Sequence, residues 1–182
     1  MGISLFSRNI ANREQTRELI REIKETIGRN DLLIAVDQEG GRVRRLAEPE
    51  FRSYAAAITL GSLGASAPKA AALHAALISD DLKTLGINMN YAPSLDIIYP
   101  ETTPALKSRC FSSSKLVVAN LGKTMVDEYI KQGICPCIKH LPGHMAGPRL
   151  IRISACRVWT TRSTTWHKTS IRSDSLTMHR RE

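Results

Sequence analysis

Short apolar runs alternate with amphipathic stretches along the first 144 residues of the chain. Apolar runs at residues 3–6, 32–36, 88–91 and 134–138 are typical of buried strands. Amphipathic stretches of helical periodicity separate these runs. Strands that alternate with helices over short connections are expected to be parallel and joined by right-handed crossovers. The pattern therefore predicts an α/β fold with about four strands.

Capping and turn residues mark the limits of the three predicted helices. Asn12, with Gln15 three residues later, predicts the start of the first helix, and Gly28 predicts its end. The second helix is expected to start near Pro68 and to end at Gly86. The apolar positions that recur at helical spacing are Leu19, Ile20, Ile23 and Ile27 in the first helix, Leu73, Leu77 and Leu85 in the second, and Val118, Leu121, Met125 and Tyr129 in the third.

Polar clusters come directly after three of the predicted strands. They are the segment Asp37-Gln38-Glu39, the loop that follows Tyr91, and Lys139-His140. In barrels and open sheets of parallel strands, ligands bind at the carboxyl ends of the strands. The sequence therefore predicts one ligand-binding rim.

The loop after the second strand has the sequence DQEGGRVRR. Its paired glycines allow the backbone to turn where a side chain would clash, and they bring two carboxylates and three arginines close to the strand end. A solvated loop with no binding role is an equal alternative from composition alone. A phosphate-binding loop is excluded, because the glycine spacing and the Lys-Ser/Thr ending are missing.

The segment after the fourth strand, KHLPGH, offers a lysine and two histidines as hydrogen-bond donors. A single histidine in such a place is more often structural than functional, and a lone arginine such as Arg109 is by default a surface residue. No metal site is predicted, because Cys135 and Cys137 lie on one face of a strand that is expected to be buried.

The net charge of +9 is distributed unevenly over the 182 residues. Residues 1–148 contain 18 Lys/Arg and 15 Asp/Glu, whereas residues 149–182 contain 8 and 2. The second segment also contains both tryptophans and 11 Ser/Thr, and it has neither periodicity nor glycine or proline. It is either a basic tail that binds nucleic acid or a segment that was never selected to fold.

Membrane insertion and secretion are not predicted. No window contains the ~18 uninterrupted apolar residues of a transmembrane helix. The first residues lack a basic segment followed by a long apolar one, so that no secretory signal is expected. Four irregularly spaced cysteines are typical of reduced thiols, and a cytoplasmic location is therefore expected.

The order of the motifs AVDQEGGRVRRL, INMNYAPSLDI, RCF and IKHLPGH resembles that of family 3 glycoside hydrolases. Within that family it is most similar to the bacterial β-N-acetylhexosaminidases of cell-wall recycling. The resemblance extends over residues 3–144 and includes the early LFSRNI segment. The β-glucosidase branch has a related Lys-His pair without the Pro-Gly-His ending, which makes a glucosidase the less favoured alternative.

The resemblance implies a (β/α)8 TIM-type barrel, of which residues 1–148 would form the N-terminal part and residues 149–182 an irregular tail. Such a barrel takes roughly 250 residues. The implied substrate is a muropeptide or oligosaccharide that contains N-acetylglucosamine, with no cofactor, no metal, no membrane and no specific nucleic acid. The residues implied to contact the N-acetylglucosamine unit are Asp37, Arg45, Arg109, Lys139 and His140.

The catalytic groups of the family are not found in this sequence. Members hydrolyse with retention through an aspartate nucleophile, and the acid/base is a histidine in an Asp-Ser-His loop shortly after the KH-x-PGH motif. Because no Asp-Ser-His follows His144, the chain as given is expected to be inactive. Codons for residues 144–154, read two nucleotides on with suitable third bases, can encode HGRATADSHF, which predicts a frameshift near His144.

A non-catalytic binding protein is the alternative from another class. In that hypothesis the partial barrel is a binding module, and its basic tail contacts nucleic acid or an anionic surface. It predicts binding to DNA that weakens with salt and disappears when residues 149–182 are removed.

Overall fold

The computed structural model of this protein describes residues 1–141, 143–144, 156–158 and 167–169. Four parallel strands form its main sheet, in the spatial order in which they occur along the chain. They are β1 (Gly2–Leu5), β2 (Leu33–Val36), β3 (Met89–Asn90) and β4 (Cys135–Pro136). The predicted α/β class is confirmed.

The register of the strands aligns their carboxyl ends. Leu5 pairs with Val36, Val36 pairs with Asn90, and Asn90 pairs with Pro136. An isolated bridge between Ser94 and Lys139 continues the contact between the segments that follow β3 and β4. The polar residues after β2, β3 and β4 therefore emerge at one edge of the sheet.

The long helices are the crossovers between consecutive strands. They are α1 (Arg13–Ile27), α3 (Ala67–Leu85) and α5 (Lys115–Lys131), and the short helices α2 (Ala57–Gly61) and α4 (Pro104–Lys107) lie in the connections. The Asn12 side chain accepts a hydrogen bond from the Gln15 amide at 2.8 Å, as the capping pattern predicts. Gly28 ends α1 and Gly86 ends α3, both with positive φ.

Two of the three leucines that mark α3 in the sequence lie outside its buried face. Leu85 is buried, but Leu73 is 60% exposed and Leu77 is 38% exposed. The face that packs inward carries alanines together with larger apolar residues, namely Ala71, Ala75, Ile78 and Leu82. Small side chains let α3 approach its neighbours closely, so its buried stripe lies where a count of leucines does not place it.

Residues 145–182 are described only at two short strands. These are β5 (Cys156–Val158) and β6 (His167–Thr169), which pair antiparallel. The remaining tail residues, Trp159 and Trp166 among them, lie outside the described residues, so the expected irregular tail stays a prediction. No helix in the described part of the chain is long and apolar enough to cross a membrane.

Candidate active site at the carboxyl ends of the strands

Asp37 follows β2 directly and lies between two cations. Its Oδ1 atom accepts a hydrogen bond from Lys139 Nζ at 2.6 Å, and its Oδ2 atom accepts one from Arg45 Nη2 at 3.2 Å. Burial alone would raise the pKa of this carboxyl. The hydrogen bond and charge of Lys139, together with Arg45, outweigh burial and lower the pKa below its ordinary value. Asp37 is therefore a carboxylate with a fixed orientation.

Lys139 follows β4, which is not adjacent to β2 in the sheet, and its side chain nevertheless reaches Asp37 at the end of β2. β3 separates β2 from β4, and parallel strands lie about 4.8 Å apart, so the two strand ends are roughly 10 Å apart. The long side chain of lysine spans this distance, whereas a shorter donor would fail to reach.

Glu39 binds both the lysine and an arginine from a third loop. Arg109 donates through Nη2 at 2.8 Å and through Nε at 3.0 Å to the two oxygens of Glu39, and Lys139 Nζ lies 2.6 Å from Oε1. This bidentate contact raises the pKa of Arg109. The Glu39 side chain is only 7% exposed, so it organises the cations from beneath and leaves little surface for a ligand.

The fully buried Gln38 side chain closes the loop that carries Asp37 and Glu39. Its Oε1 atom accepts hydrogen bonds from the Arg45 and Leu46 amides at 2.9 and 3.1 Å, and its Nε2 atom donates to the Leu46 carbonyl. The Asn90 side chain at the end of β3 accepts from the Gln38 amide and donates to its carbonyl. The loop is thus fastened at both ends, and the solvated-loop alternative does not describe it.

Gly40 allows this loop to pass close to its neighbours. Gly40 has φ of 97°, and a Cβ there would lie 2.3 Å from the Ala55 carbonyl oxygen and 2.9 Å from His74 Cε1. His74 is itself buried and donates through Nε2 to the Glu39 carbonyl at 3.1 Å. Burial lowers the pKa of His74, which favours its neutral form.

His140 connects Arg109 to a carboxylate that the sequence did not single out. Its Nδ1 atom lies 2.5 Å from Asp96 Oδ2, and its Nε2 atom lies 3.2 Å from Arg109 Nη2. Asp96 is in the loop after β3 and also accepts hydrogen bonds from Ser94 Oγ at 2.9 Å and the His144 amide at 2.8 Å. Burial opposes its ionisation, but these donors lower the pKa of Asp96 below its ordinary value.

All five residues predicted to bind sugar lie in one continuous set of contacts. We call this set, together with Glu39 and Asp96, the rim network: Arg45, Asp37, Lys139, Glu39, Arg109, His140 and Asp96. The five predicted residues are partly exposed, whereas Glu39 and Asp96 are almost fully buried beneath them. The sequence analysis placed Glu39 at the predicted rim without a role in sugar binding, and it did not single out Asp96, although both stand within the motifs that carried the resemblance.

The network presents charged and polar donors beside one carboxylate, an arrangement suited to hydroxyl and amide groups of a polar ligand. The described residues contain no group of three or more His, Cys, Asp or Glu that could hold a metal ion. Cys135 and Cys137 are half-buried free thiols, and burial raises the pKa of each.

This chain belongs to the glycoside hydrolase family whose model is described as the glycosyl hydrolase family 3 N terminal domain, which matches residues 1–149. The resemblance deduced from the motifs is confirmed. With it, the four parallel strands are identified as part of a TIM-barrel-like fold. The relatives described next are named beta-hexosaminidases or β-N-acetylglucosaminidases.

Among the curated relatives, a beta-hexosaminidase of Bordetella avium is 37% identical over 147 residues, which are 79% of this chain and 41% of that protein. A beta-hexosaminidase of Neisseria meningitidis serogroup C is 38% identical over 148 residues and is covered to 40%. The chain spans about two-fifths of the length of these relatives.

Solved structures agree with these relatives. Native NagZ from Neisseria gonorrhoeae superposes with a TM-score of 0.72 at 35% identity, over 79% of this chain and 42% of that one. A family 3 β-N-acetylglucosaminidase from Paenibacillus has a TM-score of 0.71 at 36% identity, over 79% and 27%. The NagZ protein has also been solved in complex with N-trifluoroacetyl-D-glucosamine.

Proposed function

We propose that this chain provides the N-acetylglucosamine-binding part of a retaining β-N-acetylhexosaminidase active site. The observation that carries the proposal is the convergence of Asp37, Arg45, Arg109, Lys139 and His140 from three strand ends into one partly exposed network. The names of the relatives, and the N-trifluoroacetyl-D-glucosamine bound by one of them, support a hexosamine ligand.

In this proposal Asp37 accepts hydrogen bonds from sugar hydroxyls, and the cations donate to the ring substituents. A carboxylate that is held ionised forms strong, charge-assisted hydrogen bonds, and here it is oriented before the ligand arrives. Because the donors are already in place, the site needs little reorganisation when it binds the sugar.

The rim network binds substrate but supplies no proton transfer. Asp37 and Glu39 each accept from two cations, and Asp96 accepts from three donors, so none of these carboxyls is poised as a general acid. Both ring nitrogens of His140 are also engaged. We therefore expect the 182-residue chain by itself to bind N-acetylglucosamine without hydrolysing glycosides.

For the whole protein we propose removal of terminal N-acetylglucosamine from muropeptides, as a step of peptidoglycan recycling in the bacterial cytoplasm. The two-step retaining scheme requires a nucleophile and an acid/base beside the bound sugar. The resemblance assigns these roles to an aspartate and to a histidine of an Asp-Ser-His loop.

The direct test is a titration of the chain with N-acetylglucosamine, followed by calorimetry or by protein NMR shifts. Saturable binding is expected, and Asp37→Ala should weaken it by roughly 100-fold, since the proposed charge-assisted hydrogen bonds from the sugar hydroxyls to this carboxylate are lost. Asp31→Ala is the matched control, because that carboxylate lies on the surface and pairs with the exposed Arg29.

Three outcomes would contradict the proposal. Absence of binding, or equal binding by Asp37→Ala, would exclude the sugar-binding role. Release of nitrophenol from a chromogenic N-acetylglucosaminide by the pure chain would refute its inactivity. Tight, salt-sensitive binding to DNA that requires residues 149–182 would favour the binding-protein alternative.

We also propose that residues 145–182 arise from a shifted reading frame. The basic composition of this segment supports the hypothesis, and so does the family match, which ends at residue 149. Resequencing the coding DNA from codon 130 onward tests it. A neighbouring frame that continues through Asp-Ser-His is expected, and early stop codons in both other frames would refute the shift.

A further inference from the structure

We propose that Asp96 is a positioning residue that acts through His140 on Arg109. It selects the tautomer of His140 that can accept a hydrogen bond from the guanidinium, and it ties the segment at residue 144 to the loop after β3. The consequence for sugar binding rests on the function proposed above, whereas the tautomer itself does not.

The partners of His140 determine where its proton lies. A guanidinium can only donate, so Nε2 of His140, 3.2 Å from Arg109 Nη2, must accept. A neutral imidazole that accepts through Nε2 carries its hydrogen on Nδ1. Nδ1 then donates to Asp96 Oδ2 at 2.5 Å, which an ionised carboxylate can accept. The three side chains are consistent with one proton arrangement only.

Among the described residues, the three groups that hydrogen-bond to the Asp96 carboxylate are all donors. Ser94 Oγ and His140 Nδ1 point at Oδ2, and the His144 amide points at Oδ1. The side chain is only 4% exposed, so water has little access to replace a missing partner. An asparagine at this position would turn an NH2 group toward either His140 Nδ1 or the His144 amide, and one donor would then face another.

Arg109 is thereby held from two sides. Glu39 binds its Nε and Nη2 atoms from beneath, and His140 accepts from Nη2 at the side. Within the described residues, Nη1 makes no hydrogen bond and remains available to a ligand. If His140 took the other tautomer, its Nε2–H would face the guanidinium, and Arg109 would be displaced.

The contacts also explain why Asp96 is itself unsuited to contact the sugar. It lies beneath His140, whose ring stands edge to face with His144 at 4.8 Å between centroids. The carboxylate therefore reaches a ligand only through the orientation of the residues that it holds.

The experiment is nitrogen-15 NMR of the histidine rings in the full 182-residue chain at neutral pH, with His140 assigned by the spectrum of His140→Gln. The wild-type His140 is expected to show a proton on Nδ1 and none on Nε2. In Asp96→Asn this signature should be lost, and the affinity for N-acetylglucosamine should fall by about tenfold.

Asp127→Asn is the matched control, because it makes the same chemical change on the exposed side of α5 and should alter neither readout. Ser94→Ala removes one donor from Asp96 and should leave the His140 tautomer unchanged. These controls separate the loss of a specific acceptor from a general loss of charge or hydroxyl groups.

A wild-type His140 that carries its proton on Nε2 would overturn the proposal, and this outcome does not depend on whether Asp96→Asn folds. Unchanged tautomer and affinity in Asp96→Asn would also overturn it. If the wild type shows the Nδ1 proton but binds no N-acetylglucosamine, the sugar-binding function fails while the selection of the tautomer by Asp96 stands.

Discussion

The rim network and a second cluster around Asp81 each contain a buried carboxylate that is paired with an arginine. In the second cluster, Asp81 accepts from Arg13 Nη2 at 3.0 Å and from the Tyr54 hydroxyl at 2.5 Å, with Arg52 nearby. Its side chain is only 2% exposed, as buried as the inner carboxylates of the rim. We call Asp81, Arg13, Arg52 and Tyr54 the Asp81 cluster.

The two clusters differ in what they join. The Asp81 cluster fastens α1 and the segment of residues 50–54 onto α3, and Arg13 also donates to the Glu50 carbonyl at 3.0 Å. Burial, together with the adjacent Asp81, raises the pKa of Tyr54, which keeps its hydroxyl a donor. The rim network instead joins loops at the carboxyl ends of the strands. The cationic partners of Asp81 are at least as exposed as those of the rim, so the two clusters are distinguished by their place in the fold and not by the exposure of their cations.

Lys139→Met is expected to have the largest effect of the substitutions that test this comparison. It removes the cation shared by Asp37 and Glu39, so that Asp37 keeps Arg45 and Glu39 keeps Arg109 while the charge that joins the two carboxylates is lost. A loss of about 3 kcal/mol in the free energy of unfolding is expected, together with loss of sugar binding. Urea denaturation measures the first and a titration the second. Lys131→Met should change neither, because the Lys131 side chain is 71% exposed and its partner Glu128 lies outside the rim network.

Asp81→Asn should destabilise the protein by about 2 kcal/mol, because Arg13 then loses the buried, charged acceptor to which it donates. The affinity of the folded protein for N-acetylglucosamine should not change, since the described contacts of Asp81 are with Arg13, Arg52 and Tyr54, and none of these belongs to the rim network. Asp80→Asn is the control, because Asp80 pairs with Arg52 on the surface. A stable Asp81→Asn protein with impaired binding would contradict the division between the two clusters.

Gly40→Ala probes the loop that supports the rim. Gly40 combines a φ of 97° with a Cβ position 2.3 Å from the Ala55 carbonyl oxygen, whereas Gly64 has a φ of 55° and open space around it. Gly64→Ala should therefore cost about 1 kcal/mol from backbone strain alone, and Gly40→Ala about 2 kcal/mol or more. Thermal unfolding of both variants measures the difference, and equal losses would show that the contact with Ala55 is unimportant.

Acid should lower the free energy of unfolding by protonating the carboxylates of the rim network, and this loss should be smaller than those of the substitutions above. The pKa values of Asp37 and Asp96 lie below the ordinary 3.8 in the folded state. Their contribution to stability is thus complete above about pH 4 and is lost as the pH falls through the lowered pKa values. Denaturation series at several pH values should show a smaller acid loss in Asp37→Asn than in the wild type. An equal loss would assign the effect to other carboxyls.

Local signals in the sequence were sufficient for the order of the elements. The Asn12 cap, the terminal glycines and the apolar runs depend on residues only a few positions apart, and the structure bears them out. The strands predicted at residues 88–91 and 134–138 contain β3 and β4, and backbone hydrogen bonds of Asn88, Tyr91 and Cys137 continue the pairing beyond the two strands. The leucines at helical spacing marked α3 correctly, but Leu73 and Leu77 lie outside its buried face, because spacing alone does not reveal which face the neighbours cover.

The sequence by itself determined that polar residues gather after β2, β3 and β4, because strand periodicity and turn residues are local properties. Only the tertiary structure decided which carboxylate meets which cation. Asp37 and Lys139 are 102 residues apart, and Glu39 and Arg109 are 70 apart. Their contacts exist because the parallel register aligns the strand ends, and burial then favours Glu39 and Asp96 as inner supports. No local pattern encodes that pairing, since it arises from the packing of distant segments.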